Sequence, residues 1–156
     1  MSSFIAKVLT VSDGVIAGTR ENRSGPALVD ALEKFNFKVI ESEVVADGIE
    51  NVSQMLLAMA KDFEGLIVTT GGTGFGPRDL TPEATEAILE RKAPGLSEAM
   101  RLVNPLGRLS RATAGTIGKT LIINTPGSAS GAVECFEAIA EVIPHALTLL
   151  SGHQPH

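Results

Sequence analysis

The sequence has few or none of several residue types that particular protein classes need. Its single cysteine, Cys135, excludes an internal disulfide and a thiolate metal site, which agrees with a reducing compartment. It has no Trp or Tyr for base stacking, and its formal net charge of -5 disfavours a nucleic-acid partner. No apolar run approaches the roughly 20 residues that span a bilayer, and no signal-peptide pattern opens the chain. We therefore expect a cytoplasmic protein with no membrane or nucleic-acid partner.

Acidic residues are also missing from one long segment of the chain. Residues 99–133 contain no Asp or Glu, whereas Arg101, Arg108, Arg111 and Lys119 all lie there. A basic segment in an acidic protein indicates either a local anion site or an ordinary solvated stretch. Both interpretations stay open at this point.

Size and composition are those of one ordinary domain. The 156 residues are 44% hydrophobic and 20% charged, a balance that allows a substantial core and argues against disorder. We therefore predict a single domain over residues 1–156.

Strand and helix patterns alternate along the chain. Strands are predicted at residues 4–12, 38–45 and 66–70, and each of them runs into a polar or glycine-rich turn. Apolar residues at helical spacing predict the intervening helices, with Ser24 capping one and Thr81 capping another that ends near Ala93. An irregular region to Arg111 and two further strands follow, at residues 112–117 and 120–124, which form a hairpin or lie separately. One last helix is bent at Pro144.

This alternation predicts an α/β fold with three layers, in which helices cover both faces of a mostly parallel sheet. Ligands bind at the carboxyl edge of such sheets, where the loops after the strands converge. Four polar or glycine-rich loops follow the predicted strands, and we expect them to share one composite site. They contain Ser12 and Asp13, Asp47, residues 71–79, and residues 125–128.

The most informative loop is the glycine loop, which we define as residues 71–79. Its residues Gly71, Gly72, Thr73 and Gly74 would let backbone amides approach a phosphate. It is not a standard P-loop, because Pro77 and Arg78 replace the lysine and hydroxyl residue of that motif, and it does not fit the dinucleotide fingerprint. A tight turn between strand and helix is the alternative explanation.

Two carboxylates at the same predicted edge are candidate metal ligands. Asp47 and Asp79 could hold magnesium, which prefers one or two carboxylates together with phosphate oxygens. The alternatives are an Asx-turn at Asp47 and a helix cap at Asp79. Arg78 could also reach a phosphate, and Ser110 with Arg111 could bind a second anionic group.

The order of these motifs resembles the family that contains the Mog-type molybdopterin adenylyltransferases, the MoaB proteins and the G domain of gephyrin. The resemblance covers nearly the whole chain. Its carriers are LTVSD at residues 9–13, RSGP at 23–26, TGGTG at 70–74, PRDLTPEAT at 77–85, PG at 94–95, LSR at 109–111 and LIINTPGS at 121–128.

The resemblance implies magnesium-dependent adenylyl transfer from ATP to molybdopterin, with release of pyrophosphate. It implies that Asp47 and Asp79 are catalytic and hold the metal, and that the glycine loop and Arg78 bind nucleotide phosphates. It places the pterin substrate against Ser12, Asp13, Ser110, Arg111, Pro126, Gly127 and Ser128. It also implies a homotrimer, and a molybdenum insertion protein as the downstream partner.

Two other functions fit the same motifs. A MoaB-like protein could bind pterin or nucleotide, or act in assembly, with little or no turnover; the presence of both Asp47 and Asp79 favours the enzyme. Molybdenum insertion proteins share the fold, but they normally carry additional domains, for which this chain is too short.

Overall fold

The computed structural model describes residues 4–153, so both ends of the predicted domain, 1–3 and 154–156, lie outside it. Its sheet has the strand order β2-β1-β3-β6-β5-β4. β1, β2, β3 and β6 are mutually parallel, while β5 runs antiparallel to both β6 and β4. The strands are β1 (Phe4–Val11), β2 (Phe37–Val45), β3 (Gly65–Thr70), β4 (Arg91–Lys92), β5 (Ala114–Ile117) and β6 (Thr120–Thr125).

Seven α-helices lie within the described part of the chain, together with one 3₁₀ helix, Pro105–Leu109. None of them is long and apolar enough to cross a membrane. They are α1 (Asp13–Ile16), α2 (Ser24–Lys34), α3 (Ile49–Ala60), α4 (Thr81–Ile88), α5 (Pro94–Arg101), α6 (Ala129–Ile139) and α7 (Ile143–Leu150).

Helices cover both faces of the sheet, as the sequence predicts. Side chains of a strand alternate between its faces, so neighbouring residues of β3 enter different cores. Leu66 and Val68 pack in one cluster with residues of α2, α5, α6 and α7. Ile67 packs in the other with residues of α3 and α4. The predicted three-layer fold is confirmed.

The register of the parallel strands brings their carboxyl ends together. Val11 lies opposite Val45, and Thr70 lies opposite both Thr10 and Thr125. The loops that follow β1, β2, β3 and β6 therefore leave the sheet at one edge. This register is what gathers the polar loops into a common site.

The two late strands form a hairpin, which settles the alternative that the sequence left open. β5 and β6 pair antiparallel across Gly118 and Lys119, and Gly118 adopts a φ of 56°. β5 begins at Ala114, two residues later than predicted, because the amide of Thr113 donates instead to the side-chain oxygen of Asn124.

Both predicted helix caps are wrong. Ser24 and Thr81 are the first residues of their helices, and neither helix has a side-chain cap hydrogen bond from its N-cap residue. At α2, the side chain of Asn22 accepts from the amide of Gly25. At α4, the amide of Thr81 donates to the carbonyl of Gly72, which ties the helix start to the glycine loop.

Two predicted helix ends also differ from the structure. α4 ends at Ile88, not near Ala93, because the following backbone pairs with the hairpin: the amide of Glu90 donates to the carbonyl of Thr116. β4 occupies positions that were predicted as the end of that helix, and the region to Arg111, predicted as irregular, contains α5 and the 3₁₀ helix. The last helix is two helices, with Pro144 in the first turn of α7, where its missing N–H costs least.

Candidate active site

A cavity of about 1050 Å³ opens at the carboxyl edge of the parallel strands. Most of the residues of its wall are polar residues or glycines, so it can admit a large polar ligand. Eleven of the predicted site residues line it: Ser12, Asp47, Gly71, Gly72, Thr73, Gly74, Asp79, Ser110, Pro126, Gly127 and Ser128. The other three, Asp13, Arg78 and Arg111, are not among its lining residues.

Asp13 and Asp47 hold each other in place. The amide of Asp13 donates to Oδ2 of Asp47 at 2.9 Å, and the amide of Asp47 donates to Oδ1 of Asp13 at 3.1 Å. Asp47 is thus fixed by the neighbouring loop and not by a turn of its own. Partial burial raises the pKa of the Asp47 carboxyl above its ordinary value, and the negative charges of Asp13 and Asp79 act in the same direction.

Arg78 forms hydrogen bonds to both of the loops that carry Asp13 and Asp47. Its Nε donates to Oδ2 of Asp13 at 2.6 Å and its Nη2 to Oδ1 at 3.2 Å, while Nη2 also donates to the carbonyl of Asp47 at 2.7 Å. This hydrogen-bonded guanidinium lowers the pKa of the Asp13 carboxyl. In the described structure Arg78 therefore joins the loops after β1, β2 and β3, and its role as a phosphate ligand stays a prediction.

Asp79, the last residue of the glycine loop, has its carboxylate held by the backbone of that loop. Its Oδ2 accepts from the amide of Gly76 at 2.9 Å. A Cβ on residue 76 would lie 2.8 Å from that oxygen, so a side chain there would displace the Asp79 carboxylate. The N-cap of α4 is Leu80, and the helix-cap explanation of Asp79 therefore does not apply. Both carboxylates, Asp47 and Asp79, line the same cavity.

Gly72 makes the closest approach in the loop. Its φ is 70°, and a Cβ there would lie 2.2 Å from Oγ1 of Thr81 and 3.0 Å from Oδ1 of Asp47. Only glycine lets the backbone pass between these two oxygens without displacing them. The Thr81 hydroxyl itself is fully buried and has no hydrogen-bond partner within residues 4–153.

Arg111 forms hydrogen bonds to the backbone of the glycine loop. Its amide donates to the carbonyl of Thr73 at 2.9 Å, and its Nε to the carbonyl of Gly74 at 2.8 Å. The remaining guanidinium nitrogens donate to the carbonyl of Asp79 and to the carboxylate of Glu83. That last bond lowers the pKa of the Glu83 carboxyl. Arg111 fixes the backbone at Thr73, Gly74 and Asp79, and its predicted contact with substrate stays a prediction.

Three serine hydroxyls on the cavity wall accept hydrogen bonds from backbone amides. Ser12 accepts from Val15, and Ser128 accepts from Gly131, so each caps the helix that follows. Ser110 accepts from the amide of Ala112. A hydroxyl can accept and donate at once, so each of them can still offer its proton to a ligand oxygen.

Two segments of the wall were not predicted from the sequence, and Leu106 and Leu109 of the 3₁₀ helix form the first of them. The loop between α1 and α2 contributes Arg20, Glu21, Asn22 and Arg23 to the cavity. Periodicity gives no signal there, because the loop reaches the cavity only by folding back: the amides of Thr19 and Arg20 both donate to the carbonyl of Gly14.

The fold and the site together define an α/β domain with a polar cleft at the carboxyl edge of a parallel sheet. The family described as "Probable molybdopterin binding domain" matches residues 7–145. A molybdopterin adenylyltransferase of Helicobacter pylori is 39% identical over 94% of this chain and 87% of its own. The chain therefore belongs to the molybdopterin-binding domain family, and the resemblance seen in its motifs is confirmed.

Solved structures agree with this assignment. The molybdopterin biosynthesis enzyme MoaB of Thermus thermophilus superposes with a TM-score of 0.89 at 44% identity, covering 96% of this chain and 97% of its own. The Mog protein of Mycobacterium ulcerans gives 0.88 at 35% identity, with coverages of 98% and 100%. Both relatives share the six-stranded α/β architecture described above.

Proposed function

We propose that this protein transfers the adenylyl group of ATP to molybdopterin, giving adenylyl-molybdopterin and pyrophosphate. One observation carries the proposal: Asp47 and Asp79 line a single cavity beside the glycine loop. The adenylyltransferase name of the H. pylori relative supports the same activity.

The cavity suits a magnesium ion bound jointly by protein and substrate. No group of three or more His, Cys, Asp or Glu side chains that could hold a metal occurs within residues 4–153. Two carboxylates completed by phosphate oxygens and water are what magnesium prefers. Asp47 keeps Oδ1 directed at Gly72, because its Oδ2 is taken by the amide of Asp13. The unpartnered Thr81 hydroxyl lies beside the same glycine.

Asp47 and Asp79 would hold this ion. When bound, magnesium would offset the negative charge of the phosphates during the reaction. The site needs such compensation, because Glu21, Asp47 and Asp79 already place carboxylates on the wall and both proposed substrates are anions.

In the proposed reaction, a terminal phosphate oxygen of molybdopterin attacks the α-phosphorus of ATP. The bond from that phosphorus to the bridging oxygen breaks, and pyrophosphate leaves with its electron pair. The attacking oxygen is already anionic, so no side chain has to remove a proton. The chain's task is to position two anions in line, which the backbone amides of the glycine loop and the hydroxyls of Ser12, Ser110 and Ser128 can do by hydrogen bonding.

A MoaB-like binding or assembly role is the second candidate. It is favoured by the 44% identity to the T. thermophilus MoaB structure. The two functions differ in one observable, which is product formation. In either case we expect the protein to act in the cytoplasm as a homotrimer; if it is the enzyme, we expect a molybdenum insertion protein to use its product.

The decisive experiment is incubation with molybdopterin, ATP and magnesium, followed by mass detection of adenylated pterin. We expect product from the wild type and none from Asp79→Asn, with normal folding of the variant. Asp30→Asn, on the exposed surface of α2, is the matched control and should keep full activity. Wild-type protein that binds both substrates without forming product would establish the binding role instead, and near-normal turnover of Asp79→Asn would remove that residue from the mechanism.

A further inference from the structure

The loop between α1 and α2 places two arginines, Arg20 and Arg23, on the cavity wall. Neither was predicted from the sequence to bind a ligand. Arg23 has an acidic neighbour, since its Nε lies 3.2 Å from Oε2 of Glu21. Arg20 has no ion pair and no side-chain hydrogen bond among the described residues 4–153. Its guanidinium is thus available to a ligand.

The arginines predicted to bind anions are engaged elsewhere. Arg78 is bonded to Asp13 and to the carbonyl of Asp47. Arg111 is bonded to Glu83 and to backbone carbonyls of the glycine loop. Releasing either would loosen the loops that carry Asp47 and Asp79. Arg20 can turn toward an anion without breaking any such contact.

The base of Arg20 is held in place although its end is exposed. Its amide donates to the carbonyl of Gly14 at 3.1 Å, and the amide of Thr19 donates to the same oxygen at 2.9 Å. Its Cβ lies 3.1 Å from the point where a side chain on Gly14 would begin. Helix α1 therefore fixes the origin of the Arg20 side chain at the cavity rim and leaves the guanidinium free.

We propose that Arg20 binds a phosphate group of the ligand in this cavity. This inference rests on the proposed function, because ATP and molybdopterin both carry phosphate. A guanidinium can donate two parallel hydrogen bonds to phosphate oxygens, which a single ammonium cannot reproduce. Arg20 would offset part of the negative charge that Glu21, Asp47 and Asp79 bring to the same wall.

The test is calorimetric titration of Arg20→Gln with ATP, with molybdopterin and with adenosine as an uncharged probe. We expect about a tenfold loss of affinity for at least one phosphate-bearing ligand and no change for adenosine. Arg20→Lys should recover part of the loss. Arg91→Gln removes the same charge from an exposed position on edge strand β4 and should bind like the wild type.

The two ligands identify the source of the phosphate. A loss for ATP alone assigns Arg20 to the nucleotide, and a loss for molybdopterin alone assigns it to the acceptor. Unchanged affinity for both, an equal loss for adenosine, or no binding of either ligand to the wild type would overturn the inference. Arg20-dependent binding without any adenylated product would instead reject the proposed activity and leave the role of Arg20 standing.

Discussion

Asp13 and Asp47, which are 34 residues apart in the chain, exchange amide-to-carboxylate hydrogen bonds at the ends of neighbouring strands. Asp47 reaches the cavity with one carboxylate oxygen committed to its neighbour and the other directed toward the glycine loop. The position of a proposed metal ligand is thereby set by a residue that does not itself line the cavity.

Replacing Asp13 should reduce turnover by displacing Asp47. Asp13→Ala removes the acceptor for the Asp47 amide and the partner of Arg78, so we expect adenylyl transfer to slow by roughly ten- to a hundredfold. Asp13→Asn keeps an oxygen for the amide but loses the charge and the second acceptor oxygen that Arg78 uses, and it should fall between Ala and wild type. Initial rates under saturating substrate measure the effect, with Asp30→Ala as control. Equal rates for all four proteins would show that the bond does not position Asp47.

Alanine at Gly72 should be more costly than alanine at Gly118. Both residues have positive φ, 70° and 56°, but a Cβ at Gly118 meets nothing within 4 Å, whereas one at Gly72 meets Thr81 Oγ1 at 2.2 Å. We expect a loss of about 1 kcal/mol for Gly118→Ala from backbone strain alone. Gly72→Ala should lose at least about 1 kcal/mol more from the clash. Urea denaturation gives both values, and adding Thr81→Ala should restore part of the difference.

The bond between Arg111 and Glu83 should make stability depend on pH. The hydrogen bond lowers the pKa of Glu83, so its contribution is complete above the pKa of the unfolded chain and is lost as pH falls through the folded value. We expect Glu83→Gln to be less stable than wild type by up to about 1 kcal/mol at neutral pH, since the pair is partly exposed. Denaturant unfolding across the acidic range should show the two proteins converge; a constant gap would contradict the assignment. Glu33→Gln, at an exposed position on α2, is the control.

Cys135 should react slowly with alkylating agents while the protein is folded. Burial raises the pKa of its thiol to about 11, with the charge of Glu134 adding to the effect. The reactive thiolate is therefore a minor species at neutral and mildly alkaline pH. Iodoacetamide labelling followed by mass spectrometry should be much slower for native protein than for protein unfolded in urea. Comparable rates for the two states would show that the thiol is not shielded as the structure describes.

Local sequence patterns predicted the secondary structure correctly where an apolar run alone decides whether a segment is a buried strand. The apolar run at residues 66–70 is buried throughout in β3, as predicted. The helix-cap predictions failed because each helix begins at the residue that was predicted to cap it: Asn22 accepts from the amide of Gly25 at α2, and the Gly72 carbonyl accepts from the amide of Thr81 at α4. The prediction that α4 ends near Ala93 failed for a related reason, since pairing with β5 drew the backbone out of the helix.

By itself, the sequence determined the α/β class, the strands that build the sheet and the edge at which the polar loops gather, because hydrophobic period and strand direction are properties of short segments. Only the tertiary structure decided which arginines are committed to the loops and which ones line the cavity. A guanidinium sits at the end of a long flexible side chain, and Arg78 finds its partner Asp13 65 residues away in sequence. The position of a guanidinium in the folded protein depends on partners that folding brings together, and no local sequence pattern predicts that position.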